Sequence, residues 1–115
     1  MELTPEKKLA TCDDEKKFLS RNGQIYRSLG ELAKGLQTMD EETFSHHASQ
    51  EKNDFSQWVQ DVLGDHTLGQ GLLHMSDRES MAKRVELRIR FLELMKSSTS
   101  RAKEIKHATK KHAPR

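Results

Sequence analysis

The sequence predicts a mainly α-helical fold: a small domain of about five helices, one β-hairpin near residues 17–27 and a long C-terminal helix. Three observations predict it. Apolar residues recur at three- and four-residue spacing in one segment after another. Residues that cap helices stand just ahead of those segments. Asn22-Gly23 is the strongest hairpin signal in the chain, because both residues tolerate positive φ and so suit a two-residue type I′ turn.

In chain order, Thr4-Pro5 supplies a cap and a first helical residue, since proline there forfeits no helical hydrogen bond. That helix is expected to end near Cys12. The Asn22-Gly23 turn would pair Leu19 with Tyr26 on one face and Ser20 with Ile25 on the other. An isolated hairpin is marginal in water, so it must lie against helices. Ser28 and Glu31 make a capping box ahead of Leu29, Leu32, Ala33 and Leu36. Asp40 caps a segment that places Phe44, His47 and Ala48 on one side. Asn53 caps the next, whose Phe55, Trp58, Val59, Val62 and Leu63 form one apolar stripe, and Gly64 can end it in the left-handed conformation. Trp58 is expected in the core, shielded by the long C-terminal helix and its neighbours. Asp65 starts a short piece carrying Leu68, Leu72 and Leu73.

Ser76 and Glu79 make a second capping box, which opens the longest helix, residues 77–97 by pattern. Met81, Val85, Ile89, Leu92 and Met95 form one stripe on it, while Leu87, Phe91 and Leu94 form another on a different side. One packed side needs only the first stripe. The second needs its own partner, either the hairpin of the same chain or the same helix of a second copy.

Composition limits what such a domain can be. At 115 residues, with 33% hydrophobic and 33% charged, the chain has one thin core. No apolar run approaches ~18 residues, so no membrane span is expected. "MELTPEKKLATCDDEKK" lacks the apolar stretch of a signal peptide, and a cytoplasmic location is the expectation. Cys12, the single cysteine, has no internal disulfide partner and reads as a bystander thiol. Charge is unevenly spread. Residues 1–100 carry fourteen Lys/Arg against seventeen Asp/Glu, and residues 101–115 carry six against one. The basic end, "RAKEIKHATKKHAPR", is expected to be a flexible tail on the domain formed by residues 1–100.

Phe18, Asn22-Gly23, Ile25 and Ser28-Leu29 with Glu31-Leu32, then Phe44 with His46-His47, lead into "KNDFSQWVQDVLGDHTL", residues 52–68. This series resembles small uncharacterised domains found mainly in archaea and also in bacteria, a domain of unknown function marked by F-x-HH and KNDF-x-x-WV-x-DV-x-GD. The resemblance covers the chain from about Lys17 to Met95 and implies one compact domain. It implies no activity.

The polar residues of that stretch raise the question of chemistry. A metal site needs three or four converging ligands. His46 and His47 are adjacent in a helix, so their side chains diverge by about 100°. The candidate ligands are His47, with Asp54 or His66 brought in by the fold, but no spacing typical of a metal motif joins them. The plainer reading puts one histidine on the apolar face, hydrogen-bonded to backbone near Trp58, and the other in solvent. Asn53 and Asp54 suit a helix start, and Asp61, at the unfavourable helix end for an acid, is expected to pair with an arginine of the long helix.

Three functions follow in order. The first is a non-enzymatic interaction module that self-associates or docks a protein partner through Leu87, Phe91 and Leu94 beside Arg84, Arg88 and Arg90. The second is contact with nucleic acid or the ribosome through Lys103, Lys106, Lys110, Lys111 and Arg115, which would be sequence-blind and salt-sensitive. The third, a metal- or His-dependent enzyme centred on His46, His47, Asp54 and His66, lacks a visible nucleophile or ligand set. No cofactor is expected.

Overall fold

The computed structural model describes the backbone of residues 4–112 and the side chains of residues 4–96. Helix α1, Pro5–Leu9, opens as its sequence requires: Pro5 takes the first position and the Thr4 hydroxyl accepts the Lys7 N–H. It stops at Leu9, short of Cys12, and a single 3-10 turn, Asp14–Lys16, leads into the hairpin.

The hairpin consists of β1, Phe18–Leu19, and β2, Ile25–Tyr26, paired antiparallel. Its register corrects the expected one. Phe18 faces Tyr26 and Leu19 faces Ile25. The loop has three residues rather than two: Ser20 N–H donates to Gln24 O, Gly23 N–H donates to Ser20 O, and only Gly23 takes a positive φ, 91°. The reason is burial. A one-residue slip turns every strand side chain over. The observed register sends Phe18 and Tyr26 together into the core and leaves Leu19 and Ile25 outside.

Helix α2, Leu29–Thr38, is capped by the Ser28 hydroxyl. The return bond of its capping box is displaced: Glu31 accepts from the Arg27 N–H instead of from Ser28. Helix α3, Glu41–His47, is capped by Asp40, and α4, Asp54–Asp61, by Asn53. Gly64, at φ 73°, then turns the chain into α5, His66–Leu72, which is capped by Asp65. Helix α6, Arg78–His112, starts one residue later than the capping box implies, because the Asp77 carboxylate, not the Ser76 hydroxyl, accepts the Ser80 N–H. It also continues past residue 97. Residues 78–112 contain no glycine or proline and are rich in Lys, Arg and Glu, so intrinsic propensity helps sustain a helix after the apolar pattern ends. The expected flexibility of the basic tail concerns side chains outside the described residues.

Helices α2, α5, α1 and α6 pack together, and α4 lies on α5. The core runs from Phe18 and Tyr26 through Leu29, Leu32, Leu36, Phe44, Phe55 and Leu72 to Met81, Val85 and Leu92. Burying an aromatic such as Phe44 or Phe55 contributes roughly 2–3 kcal/mol. Trp58 is buried as expected, but its partners differ from those expected. Its indole meets the Phe18 ring edge-on at 5.7 Å and donates to the Lys16 carbonyl at 2.7 Å, so the hairpin region is its cover. No helix among the described residues is long and apolar enough to cross a membrane.

Candidate functional site

The histidine corner is built by a short loop. His47 ends α3 and Asp54 begins α4. Between them Ala48 bridges to Asn53, and the Ser49 hydroxyl accepts the N–H groups of Glu51 and Lys52. This closure brings His47 Nδ1 to 2.9 Å from Asp54 Oδ2. The other ring nitrogen, Nε2, accepts the Arg21 backbone N–H at 2.9 Å. A nitrogen that accepts carries no proton, so the proton sits on Nδ1 and is donated to Asp54. The ring packs edge-on against Phe18 at 4.9 Å and Phe55 at 5.5 Å.

Every polar atom of His47 is therefore used. It has no lone pair left for a metal ion and none for taking a proton from a substrate. It joins the hairpin tip to the α3–α4 corner, close to the plainer of the two roles its sequence suggests, with a carboxylate added to the backbone partner. Burial raises the Asp54 carboxyl, but hydrogen bonds from His47 and Lys52 outweigh it and hold the group below the usual carboxylate range. His46 is exposed, with Nδ1 3.3 Å from an Arg21 guanidinium nitrogen. Desolvation, then the neighbouring His47 and Arg21, lower its pKa. His66 stands apart, with Nδ1 3.2 Å from Gln60 Oε1 at the start of α5. The fold thus joins His47 to Asp54 but leaves His66 out, and among the described residues no three His, Cys, Asp or Glu side chains are placed to hold a metal ion.

The sequence predicts an ion pair between Asp61 and the long helix. Asp61 instead accepts from Gln57. The acid that reaches α6 is Asp65, fully buried, which receives Arg88 through two guanidinium nitrogens at 2.8 and 3.0 Å. The same carboxylate caps α5 and lies 3.9 Å from Lys8. Arg78 is a second anchor that the sequence did not disclose. It pairs with Glu41 and donates to the carbonyls of Leu36 and Gln37 in the last turn of α2. Neither arginine is tied to a residue near it in sequence, so no local pattern reveals them.

The outer side of α6 is the opposite case. Leu87, Phe91 and Leu94 are 59%, 48% and 64% exposed. The hairpin does not cover them, because it packs on α2. Arg88 lies at their edge with its guanidinium 5.2 Å from the centre of the Phe91 ring, so the buried Asp65 anchor also braces Phe91. Arg84 is exposed and lies against α5 at Gly71, where a side chain would collide with it. The tail residues Lys103, Lys106, Lys110, Lys111 and Arg115 lie outside the described side chains.

A small helical domain with a hairpin, a His47 engaged at both ring nitrogens and one open helix face defines the class. The chain belongs to DUF5752, a family of unknown function whose profile matches residues 14–114. No curated protein matches the chain significantly, and no solved structure does.

Proposed function

We propose that this protein is a non-enzymatic interaction module that docks a protein, or a second copy of itself, on the outer face of α6. The observation that carries the reading is the exposure of Leu87, Phe91 and Leu94 in successive turns of one helix. Single exposed apolar side chains are ordinary, whereas a row of them at i, i+4 and i+7 has the spacing of a helix-docking surface. The corner that most resembles a catalytic site supports the same reading from the other side, since both nitrogens of His47 are engaged within the fold.

Size-exclusion chromatography with light scattering, together with partner capture, tests it. Phe91→Asp is expected to abolish self-association or capture while leaving the thermal midpoint unchanged. A strict monomer whose capture profile is identical in the variant removes the basis of the reading. The charge asymmetry supports a second reading, nucleic-acid contact through residues 101–115. Under it, binding to a DNA duplex or single strand at low salt is lost when those residues are deleted.

A further inference from the structure

We infer that the occupant of the α6 face is an acidic amphipathic helix of another protein, docked through its own apolar stripe with carboxylates on its margins. This rests on the reading of that face as an interaction surface and adds the chemistry of the partner.

The first observation is the state of the arginines. Arg21, Arg27, Arg78 and Arg88 each have a carboxylate partner within the chain. Arg84 and Arg90 have none among the described residues, and neither does Lys83. These three exposed cations all border or enter the Leu87–Phe91–Leu94 row. At about 100° per residue, Arg84 lies about 20° round the helix from Phe91. Lys83 and Arg90 lie about 80° and 100° round on the other side. The glutamates of α6 lie farther round on that same side, Glu79, Glu86 and Glu93 being about 60°, 80° and 100° beyond Leu94, and the Arg84 side carries none. The open row is thus bordered directly by cations, Arg84 on one side and Lys83 and Arg90 on the other, with the glutamates of α6 lying beyond Lys83 and Arg90.

The second observation is charge segregation along the chain. Residues 1–77 carry eight Lys/Arg against fourteen Asp/Glu, net −6. Residues 78–115 carry twelve against four, net +8. Together they restore the overall +2.

These facts separate the occupants. A two-fold pair of this chain sets the same face against itself. Whichever way the two helices run, cationic margins then meet cationic margins, which opposes association. Nucleic acid would satisfy the arginines but offers no apolar stripe to cover three exposed side chains. An anionic bilayer would take both the apolar row and the cations, but it would also draw the net −6 body toward a negative surface. A helix of apolar spine and acidic margins meets every requirement. It touches only the row, covers Leu87, Phe91 and Leu94 with anchors over about two turns, and pairs carboxylates with Arg84 and Arg90 bidentately.

The test uses the full chain and two labelled synthetic helices, each about five turns long. Both carry leucines at i, i+4 and i+7. One has glutamates on the margins and its twin has lysines. Fluorescence anisotropy is expected to show binding of the glutamate helix only, weakened at least about tenfold by Phe91→Ala. The double variant Arg84→Glu with Arg90→Glu is expected to reverse the preference toward the lysine helix. Equal binding of the twins, or no reversal in the double variant, overturns the inference. So does sedimentation as a dimer that Phe91→Ala dissolves while neither helix binds: the face is then an interface, but its occupant is a second copy. Phe91-dependent binding to phosphatidylserine vesicles without binding of the glutamate helix overturns it in favour of a lipid surface. A monomer that binds neither helix and no vesicle removes both the inference and the reading beneath it.

Discussion

The histidine corner and the outer face of α6 each set charged side chains beside apolar ones and use them in opposite ways. At the corner, His47 packs against Phe18 and Phe55, and the fold engages it with Asp54, Asp54 with Lys52, and His46 with Arg21. His47 alone binds a backbone amide with one nitrogen and Asp54 with the other. On α6, Arg84 and Arg90 stand beside Leu87, Phe91 and Leu94 without a carboxylate partner among the described residues, and much of each apolar side chain stays exposed. A cluster of reactive residue types is therefore a weak guide to function, because folding can use up their chemistry. Groups that folding leaves unused are a better one.

The largest expected effect comes from removing the anchor on which α6 rests. Asp65→Ala leaves Arg88 partly buried with its counter-charge gone and strips α5 of its cap. Breaking such a pair from one side costs about 3–5 kcal/mol. Urea unfolding should show a loss of that size. A loss under about 1 kcal/mol would show that the pair contributes no more than a surface one. Arg88→Met removes the other partner, and the two single variants with the double variant give the coupling.

Next is the corner itself. His47→Ala removes a ring packed between Phe18 and Phe55 and strands the Arg21 N–H. The expected cost is about 2–4 kcal/mol, from a cavity plus an unsatisfied donor. Hydrogen exchange should locate it: the Arg21 amide loses protection before the α2 core does. If stability is unchanged, His47 is not the pin the geometry describes, and the contrast between the two regions weakens.

What the sequence disclosed follows the range of the interactions. Thr4, Asp40, Asn53 and Asp65 were legible as caps because each acts on an amide three residues away. Gly64 was legible for the same reason. The second stripe of α6 was legible because periodicity alone separates two sides of a helix. The hairpin register was not, since it depends on which pair of aromatics the core accepts, and Phe18 with Tyr26 prevailed over the two-residue turn. Nor were Asp65–Arg88 and Arg78–Glu41, whose partners are 23 and 37 residues apart. At the candidate site, the burial of His47 could be read, but the Arg21 amide that occupies its second nitrogen is 26 residues away.

Acid should sharpen the comparison with a smaller effect. Burial raises the Asp54 carboxyl, but His47 and Lys52 together hold it low. Asp40 and Asp77 are lowered by the hydroxyl and amide of Thr43 and by the hydroxyl and amide of Ser80. A carboxyl whose folded pKa lies below its unfolded value, near ~3.9, stabilises the fold at higher pH. That contribution is complete above about pH 5 and is lost as pH falls through the depressed folded values. The urea midpoint should therefore decline between about pH 5 and pH 3. Asp54→Asn, which still accepts from His47 Nδ1, should flatten part of that decline. An unchanged acid limb in the variant would place the pH dependence elsewhere.

The smallest effect belongs to the other region, and it decides the comparison. Leu87→Glu and Leu94→Glu replace exposed side chains that contribute little to the folded state. Each should shift unfolding free energy by no more than about 0.5 kcal/mol, the range of ordinary surface substitutions. In the monomer the change could even raise solubility, since it shortens an apolar row and brings a carboxylate near the unpaired Arg84 and Arg90. A loss of about 2 kcal/mol or more would mean that this row already packs against something within the chain. The outer face of α6 would then join the corner as a structural element, and the available surface would have to be sought elsewhere on the domain.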